Sequence, residues 1–266
     1  MAKKKTSKRV VIVSDLHCGH RAGLTPPGYQ TPADIPDPVW QKFAVFQREM
    51  WSWYRREISC LQPVDILIVN GDAIDGKNER AGGRELMYAD RGDQCDIALK
   101  CLRHINAKDT IMTYGTPYHG GNFEDWENEI ADNLQADIGS HEWVDINGLI
   151  FDVKHFIPGS TVENARGNAS GRANMWNRVW AERGNQPRGD IFIRSHVHYN
   201  VEFKNTGKYM YITPALQGYA TIYGARKCEG TVDIGFYSFD VEDKHTWSKT
   251  YHEFHPESLV AHARQL

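Results

Sequence analysis

The residues best suited to chemistry are aspartates and histidines that directly follow short apolar runs. Asp15 and His17 come after the run Val-Val-Ile-Val at positions 10–13. Such a run is too short for a helix and indicates a buried strand. At its carboxyl end, an Asp and a His two residues apart project into one crevice, where open α/β sheets bind ligands. Because carboxylate and imidazole groups ligate divalent metals, the stretch predicts a metal site, although Asp-x-His alone is a weak pattern.

The same arrangement recurs at four more predicted strand ends. The further candidates are Asp72, His119, His155, His196 and His198. Gly71 allows a sharp turn that directs the Asp72 carboxylate into the crevice. His119 lies between an X-Pro turn and two glycines, a setting that favours a functional role over a core role. His196 and His198 can both reach metal only if two ions, or one ion and a shared ligand, lie side by side.

Strands and helices that alternate along the chain must position these residues. Apolar runs predict strands at 10–13, 66–69, 109–113, 142–146, 149–153 and 191–194. A helix begins at Asp37-Pro38, and its predicted buried face is Phe43, Phe46, Met50, Tyr54 and Ile58. Further helices are predicted around 97–105, at 124–134 and at 164–183, and Asn147-Gly148 predicts a tight hairpin turn.

Three more expectations concern the second half of the chain. In the helix at 164–183, the predicted buried stripe is Met175, Trp176, Val179 and Trp180. Hairpins at 201–213 and 232–251 are expected to complete a second sheet. Four histidines in or after the later hairpin are expected at the surface, namely His245, His252, His255 and His262.

Composition limits the class of protein. The chain has 266 residues, 41% of them hydrophobic, which suits one domain at 10–254 between a basic tail at 1–9 and a tail at 255–266. The net charge of −3 gives no overall positive field, so any contact with nucleic acid must be local. Five cysteines without a C-x-x-C pair argue against a zinc ribbon or a disulfide framework and predict a reducing cytoplasm. No apolar run approaches membrane-spanning length, so no membrane partner is expected.

Taken in order, the motifs resemble the calcineurin-like metallophosphoesterase superfamily. Its pattern is D-x-H, G-D, G-N-H-[DE], H and G-H-x-H, and the resemblance covers about residues 10–213. It implies a four-layer αββα sandwich of two mixed β-sheets flanked by helices, carrying two metal ions. The versions S-D-L-H-C-G-H and G-T-P-x-H resemble phosphoesterases of bacteriophages, which would place the protein in the cytoplasm of a host cell.

The resemblance also implies a ligand set. By position, the first ion would be held by Asp15, His17 and His198, and the second by His155 and His196, with Asp72 bridging both. The family's Asn ligand is absent here. Thr116 supplies a neutral oxygen in its place, His119 becomes a ligand, or Asn122 takes the role. Ser195 replaces the Gly of G-H-x-H, a small change that should be tolerated.

The implied activity is hydrolysis of a phosphate ester. Oxygen and nitrogen donors suit two divalent ions, with Mn²⁺ expected and Fe, Zn²⁺ or Ni²⁺ as alternatives. A hydroxide shared by the ions would attack phosphorus, with Asp72 and His119 catalytic and His119 as the proton donor. The expected substrate is a phosphodiester of a nucleotide or nucleic-acid end, and candidate substrate contacts are Arg84, Arg166, Arg172 and His20. The alternatives are a phosphomonoesterase or protein phosphatase, and a metal-binding scaffold without activity. The sequence does not specify an oligomeric state.

The polar insertion at 77–92 has two interpretations. It contains Arg80, Arg84 and Arg91 among glycines. It is either a solvated loop or a lid that brings an arginine to an anionic substrate.

Overall fold

A computed structural model of the chain describes residues 6–121, 124–205, 207–219 and 230–263. Its strands form two mixed sheets. The six-stranded sheet has the order β11-β10-β1-β2-β3-β4, and the five-stranded sheet has the order β5-β6-β7-β9-β8, with the bounds that follow. The strands are β1 (Lys8–Val13), β2 (Val64–Asn70), β3 (Ala107–Thr113), β4 (Asp137–Gly139), β5 (Glu142–Ile146), β6 (Leu149–Val153), β7 (Ile191–Arg194), β8 (Val201–Asn205), β9 (Lys208–Ile212), β10 (Ile234–Val241) and β11 (Trp247–Phe254).

Within the described residues, five helices accompany the two sheets. They are α1 (Pro38–Cys60), α2 (Arg91–Arg103), α3 (Pro117–Gly120), α4 (Glu127–Leu134) and α5 (Gly167–Glu182). Short 3₁₀ turns occur at Glu79–Ala81 and Glu163–Ala165. The core residues of α1, α2 and α4 pack on the six-stranded sheet, whereas α5 packs on the five-stranded sheet. The predicted αββα architecture is therefore confirmed. No described helix has the length and apolar character needed to cross a membrane.

Alternation along β1 and β2 produces the layers. Val11 and Val13 belong to the cluster beneath the helices, while Val10 and Ile12 belong to the cluster between the sheets. The parallel register pairs Val10 with Ile66, so β2 divides its side chains in the same way. Two faces of one apolar strand thus bury two different cores, as expected for a central parallel strand.

The helix α1 follows its sequence signals closely. The Asp37 carboxylate accepts hydrogen bonds from the backbone N–H groups of Val39 and Trp40, at 2.8 and 3.2 Å. Pro38 occupies the first helical position, where its missing N–H costs no bond. The five residues predicted as the buried face of this helix are all buried.

The predicted buried stripe of α5 is wrong. Met175, Trp176 and Trp180 are among the large apolar residues exposed to solvent, and Val179 is only half-buried. The buried side chains of this helix are instead Ala169, Ser170, Asn174 and Asn177. Small and polar residues form the packing face because Asn177 donates to Asp152 and Pro187, at 3.1 and 3.0 Å, and accepts from the Gly189 N–H at 3.1 Å.

The hairpins occur where the sequence predicts them, but one of them belongs to a different sheet from the one predicted. The Asn147-Gly148 turn connects β5 and β6, with both residues at positive φ as such a turn requires. The hairpin β8–β9 lies in the five-stranded sheet as predicted. In contrast, β10 and β11 extend the six-stranded sheet, because β10 pairs antiparallel with β1.

His252 is a correction to the surface prediction. Its side chain is only 10% exposed. The ring stacks on Phe236, with the ring centres 4.5 Å apart, and its nitrogens bond with Ser238 and Glu57. His245, His255 and His262 are exposed, as expected. The prediction failed because alternate residues of β11 face the helices. The polar residues around His252 in the sequence do not indicate that its side chain faces inward.

Candidate metal centre

The candidate ligands lie on the loops that leave β1, β2, β3, β6 and β7. Five of them lie at positive φ, a region that residues other than glycine rarely adopt and that Asn, Asp and His tolerate best: Asp15 (49°), His17 (45°), Asp72 (51°), His196 (76°) and His198 (56°). Each such residue costs about 1–3 kcal/mol and persists only when its surroundings fix it. Backbone bonds from Asp15 N–H to the Gly71 carbonyl (3.0 Å) and from His17 N–H to the Asp72 carbonyl (3.1 Å) supply part of that constraint.

Beneath the ligands, hydroxyl and amide side chains at five strand ends form a hydrogen-bonded chain that joins both sheets. Ser14 bonds to Thr213 at 2.7 Å, and Thr213 bonds to Ser195 at 2.6 Å. The Asn70 amide donates to Ser195 at 2.5 Å and its carbonyl accepts from Thr113 at 2.6 Å. All five are buried. Ser195, which stands where the resembling family has Gly, thus has partners for its hydroxyl.

The first group of candidate ligands is Asp15, His17 and His198. Nε2 of His17 lies 3.1 Å from Nε2 of His198, which in turn lies 3.2 Å from Oδ1 of Asp15. His17 Nε2 is 4.0 Å from the same oxygen. These atoms lie close enough together to hold one cation.

The second group is Asp72, His155 and His196. His155 Nε2 lies 3.0 Å, and His196 Nδ1 4.0 Å, from Oδ2 of Asp72. Thr116 donates its backbone N–H to Oδ1 of Asp72 at 2.7 Å, and its hydroxyl lies 3.2 Å from that oxygen. The structure therefore brings the hydroxyl of Thr116 to the second group.

Protonation differs between the two groups. Burial and the nearby His119 lower the pKa of His17 to about 4, so its ring is neutral at pH 7. Its Nδ1–H donates to the Asp75 carboxylate at 3.1 Å, and Nε2 therefore presents a lone pair to the first group. Burial opposes a charge on His155, but the carboxylates of Asp72 and Asp15 outweigh it and raise the pKa of His155 to about 10.

The arrangement fits divalent cations. Oδ1 of Asp15 is buried and has no hydrogen-bond partner among the described residues, although three imidazole nitrogens lie within 4.0 Å of it. A buried carboxylate oxygen without a donor is costly, and a cation between it and the imidazoles would remove that cost. One such contact comes from His155 of the second group, so the two groups adjoin. Oxygen and imidazole donors suit Mn²⁺, Fe or Zn²⁺.

Asp75 is a functional candidate that was not identified from the sequence. Its carboxylate accepts from His17 and from the Asn78 amide, the latter at 2.9 Å. Its backbone carbonyl accepts from Nδ1 of His119 at 2.7 Å. Asp75 therefore orients both imidazoles, a role common for carboxylates next to metal-ligating histidines. Its position three residues after the Gly-Asp motif was the available signal.

The substitution Asp75→Asn tests this role. It removes the charge that makes His17 a basic ligand while preserving the shape of the side chain. We expect Mn²⁺ affinity to fall about 10- to 100-fold, the usual effect of losing such a partner. Titration calorimetry on metal-free protein measures it, with Asp96→Asn, an exposed site on α2, as the matched control. Unchanged Mn²⁺ affinity in Asp75→Asn would show that Asp75 has no part in orienting the ligand.

Glu127 was also missed, and it fixes the two loops that flank Asp72. Its buried carboxylate accepts from the backbone N–H groups of Ala73 and Gly115, at 2.9 and 2.6 Å. Burial and the charge of Asp72 raise the pKa of Glu127 to about 7. Position 115 must be glycine for its loop to lie this close to Asp72, because a Cβ there would be 2.2 Å from Oδ1 of Asp72.

His119 lies beside the first group. Its ring centre is 4.4 Å from that of His17. Because a carbonyl oxygen can only accept, Nδ1 carries a proton for the bond to Asp75, and Nε2 is the nitrogen left for other contacts. Thr116 and His119 thus occupy different parts of the centre. Asn122, the third alternative considered from the sequence, lies outside the described residues.

The four predicted substrate contacts lie in different settings. Arg84 is exposed on the insertion, where its Nε donates to the Ala81 carbonyl. Arg166 lies over the Tyr199 ring at 4.3 Å and bonds to Thr231. His20 is buried, with Nδ1 accepting from the Ala22 N–H and Nε2 3.9 Å from Glu85. Arg172 lines a cavity that lies between α5 and the ends of β6 and β7.

Several solved structures are similar to the chain at low sequence identity. An archaeal phosphodiesterase is 16% identical, over 91% of this chain and 99% of its own, with a TM-score of 0.45. Vacuolar protein sorting 29 from Cryptosporidium parvum is 12% identical, over 94% of this chain and 98% of its own, with a TM-score of 0.46. Vps29 complexed with Zn²⁺ from Entamoeba histolytica is 12% identical, over 93% and 99%, with a TM-score of 0.44.

The class defined here is an αββα sandwich with a candidate metal centre at its strand ends. Its two mixed sheets flanked by helices are the architecture that the resemblance to calcineurin-like metallophosphoesterases implies. No protein-family model matches the chain, and no curated protein matches it significantly.

Proposed function

We propose that the protein is a divalent-metal-dependent phosphodiesterase that acts on nucleotides or nucleic-acid ends. The observation that carries the proposal is that imidazole nitrogens of both ligand groups lie within 4.0 Å of the buried Oδ1 of Asp15. A carboxylate shared between neighbouring groups would let two dications lie close together despite their repulsion. We assign this role to Asp72, as the resemblance implies, and note that Oδ1 of Asp15 lies 4.0 Å from Nε2 of His155 in the second group.

The residues divide into two ion sites in this proposal. Asp15, His17 and His198 would hold the first ion, and Asp72, His155 and His196 with the hydroxyl of Thr116 would hold the second. When bound, such ions activate water as a nucleophile and neutralise charge on phosphoryl oxygens. Mn²⁺ is the expected ion because carboxylate, hydroxyl and imidazole donors together suit it.

The chain's own groups supply orientation and a proton. His119 is held through Nδ1 by the Asp75 carbonyl, so Nε2 is the atom that gains and releases a proton. Its side chain is 17% exposed, enough to contact a substrate. We assign it the protonation of the leaving alkoxide, which general acids accelerate by about 10²- to 10⁴-fold.

The cellular setting belongs to the same proposal. All four cysteines within the described residues are free, Cys18, Cys60, Cys95 and Cys101, as they would be in a reducing compartment. Together with the bacteriophage-type motifs, this favours the cytoplasm of a host cell.

Hydrolysis of two chromogenic esters after removal and return of metal tests the function. We expect protein dialysed against EDTA to be inactive and Mn²⁺ to restore hydrolysis of bis(p-nitrophenyl) phosphate, with p-nitrophenyl phosphate a poorer substrate. A preference for the monoester would contradict the diester assignment. Protein that binds Mn²⁺ and hydrolyses neither ester would instead be a metal-binding scaffold.

A further inference from the structure

A cavity of about 450 Å³ lies between α5 and the ends of β6 and β7. Ala169 and Ala173 leave room for it, and the large rings of Trp176, Trp180 and Phe156 line it. Its volume is within the range of small-molecule sites. The candidate ligands of the metal centre do not line it, so its composition needs a separate explanation.

The aromatic rings of this cavity are exposed to solvent. The exposed fractions are 53% for Trp176, 42% for Trp180 and 51% for Phe156. Arg172, Trp176 and Trp180 follow one another at intervals of four residues, so they form one ridge along α5. Exposed aromatic side chains grouped along one surface are typical of a binding site.

Positive charge accompanies the rings. Lys154 and Arg172 line the cavity, are exposed, and make no ion pair within the part of the chain that the structure describes. Arg194 also lines it but is bound to Asp152 at 2.6 Å, so its charge is neutralised. Residues 154–194 contain seven Lys or Arg against three acidic residues, in a chain of net charge −3. An anionic ligand would be attracted here and not over the whole surface.

The aromatic cavity continues into the metal centre. Lys154 and Phe156 also line a neighbouring cavity of about 330 Å³, which is bordered by His155 and Thr116 of the second ligand group. The ring centre of Phe156 is 5.0 Å from that of His196. A chain-like ligand can therefore extend from the metal centre past Lys154 and onto α5.

We infer that this cavity binds the bases of a single-stranded nucleic acid whose reacting phosphodiester lies at the metal centre. The inference rests on the proposed function and specifies its substrate class. Bases stack on Trp176, Trp180 and Phe156, while Lys154 and Arg172 contact backbone phosphates. Stacking on these rings requires unpaired bases, because in a duplex both faces of each base are covered by neighbouring bases.

Binding of fluorescein-labelled oligodeoxythymidylate in EDTA tests the inference without turnover. Fluorescence anisotropy with full-length protein should give a dissociation constant about tenfold higher for Trp176→Ala and for Trp180→Ala than for the wild type. Trp176→Phe retains a ring and should recover most of the affinity. Met175→Ala, an equally exposed residue of α5 outside the cavity, should bind as the wild type does.

The outcomes separate the inference from the function on which it rests. Wild-type hydrolysis of bis(p-nitrophenyl) phosphate reports on the function alone, since that ester has no bases. Equal binding of oligodeoxythymidylate by wild type, Trp176→Ala and Trp180→Ala would overturn the inference even if the ester is hydrolysed. A wild type that sediments as a dimer, with Trp176→Ala a monomer, would overturn it as well, because the face would then join two copies. Annealing the oligonucleotide to its complement should weaken binding at least about tenfold.

Discussion

Replacing Asp72 by asparagine is expected to lower kcat/KM for bis(p-nitrophenyl) phosphate by about three orders of magnitude. Asp72 is buried in the second ligand group and would be the anionic ligand of the second ion. Asparagine has the same shape, tolerates the positive φ of this position, and still accepts the N–H of Thr116. The substitution therefore removes a charge and a metal ligand while the loop keeps its conformation.

Two measurements make the Asp72→Asn result specific. Elemental analysis should show less bound metal than in the wild type, and the melting curve in EDTA should show that the fold persists. Asp109→Asn, an exposed aspartate on β3 of the same sheet, is the matched control and should have wild-type activity. Activity within a few-fold of the wild type in Asp72→Asn would exclude a carboxylate role in the reaction.

Much of the fold is contained in local sequence, because the central strands are runs of Val and Ile with polar residues at their ends. The ranges predicted for β5, β6 and β7 agree with the structure, and Asp37 caps α1 as expected. The placement of β10 beside β1 could not be predicted from local sequence. Its partner is set by which sheet edge remains open, a property of the whole chain.

The error in α5 has a different cause. Periodicity shows that Trp176, Val179 and Trp180 share a helix face, but it does not show what covers that face. A stripe that binds a ligand has the same spacing as one that binds the core. The face that packs on the sheet is recognisable only once Asp152 and Asn177 are found in contact, 25 residues apart in sequence.

In the metal centre, too, some residues could be predicted from the sequence and others could not. The seven residues proposed from sequence as ligands lie together, because each follows a strand of one of the two sheets and these strand ends adjoin. Asp75 and Glu127 were missed because their roles depend on partners in other segments. The bond from His17 to Asp75 spans 58 residues. Strand-end patterns thus identify groups that face a ligand more readily than groups that orient them.

His119→Gln should separate two substrates that differ in their leaving groups. A dinucleoside phosphate releases a basic alkoxide that needs a proton, so we expect its kcat to fall about 10²- to 10⁴-fold. Bis(p-nitrophenyl) phosphate releases a weakly basic phenolate, and its kcat should fall less than about tenfold because general-acid assistance matters little there. Glutamine can still donate to the Asp75 carbonyl, so the loop is retained.

The alternative role of His119 as a metal ligand predicts a different result. Loss of a ligand would slow both substrates to a similar extent and reduce the metal content. The proton-donor role is our proposal, since Thr116 already lies against Asp72. His119 also lies close enough to His17 and Asp75 for the three side chains to hold a cation, so the metal content of the variant distinguishes the two roles. His255→Gln, at an exposed position, is the matched control for loss of an imidazole. Equal losses on the two substrates, together with lost metal, would therefore move His119 from proton donor to ligand and leave the acid to be sought elsewhere in the centre.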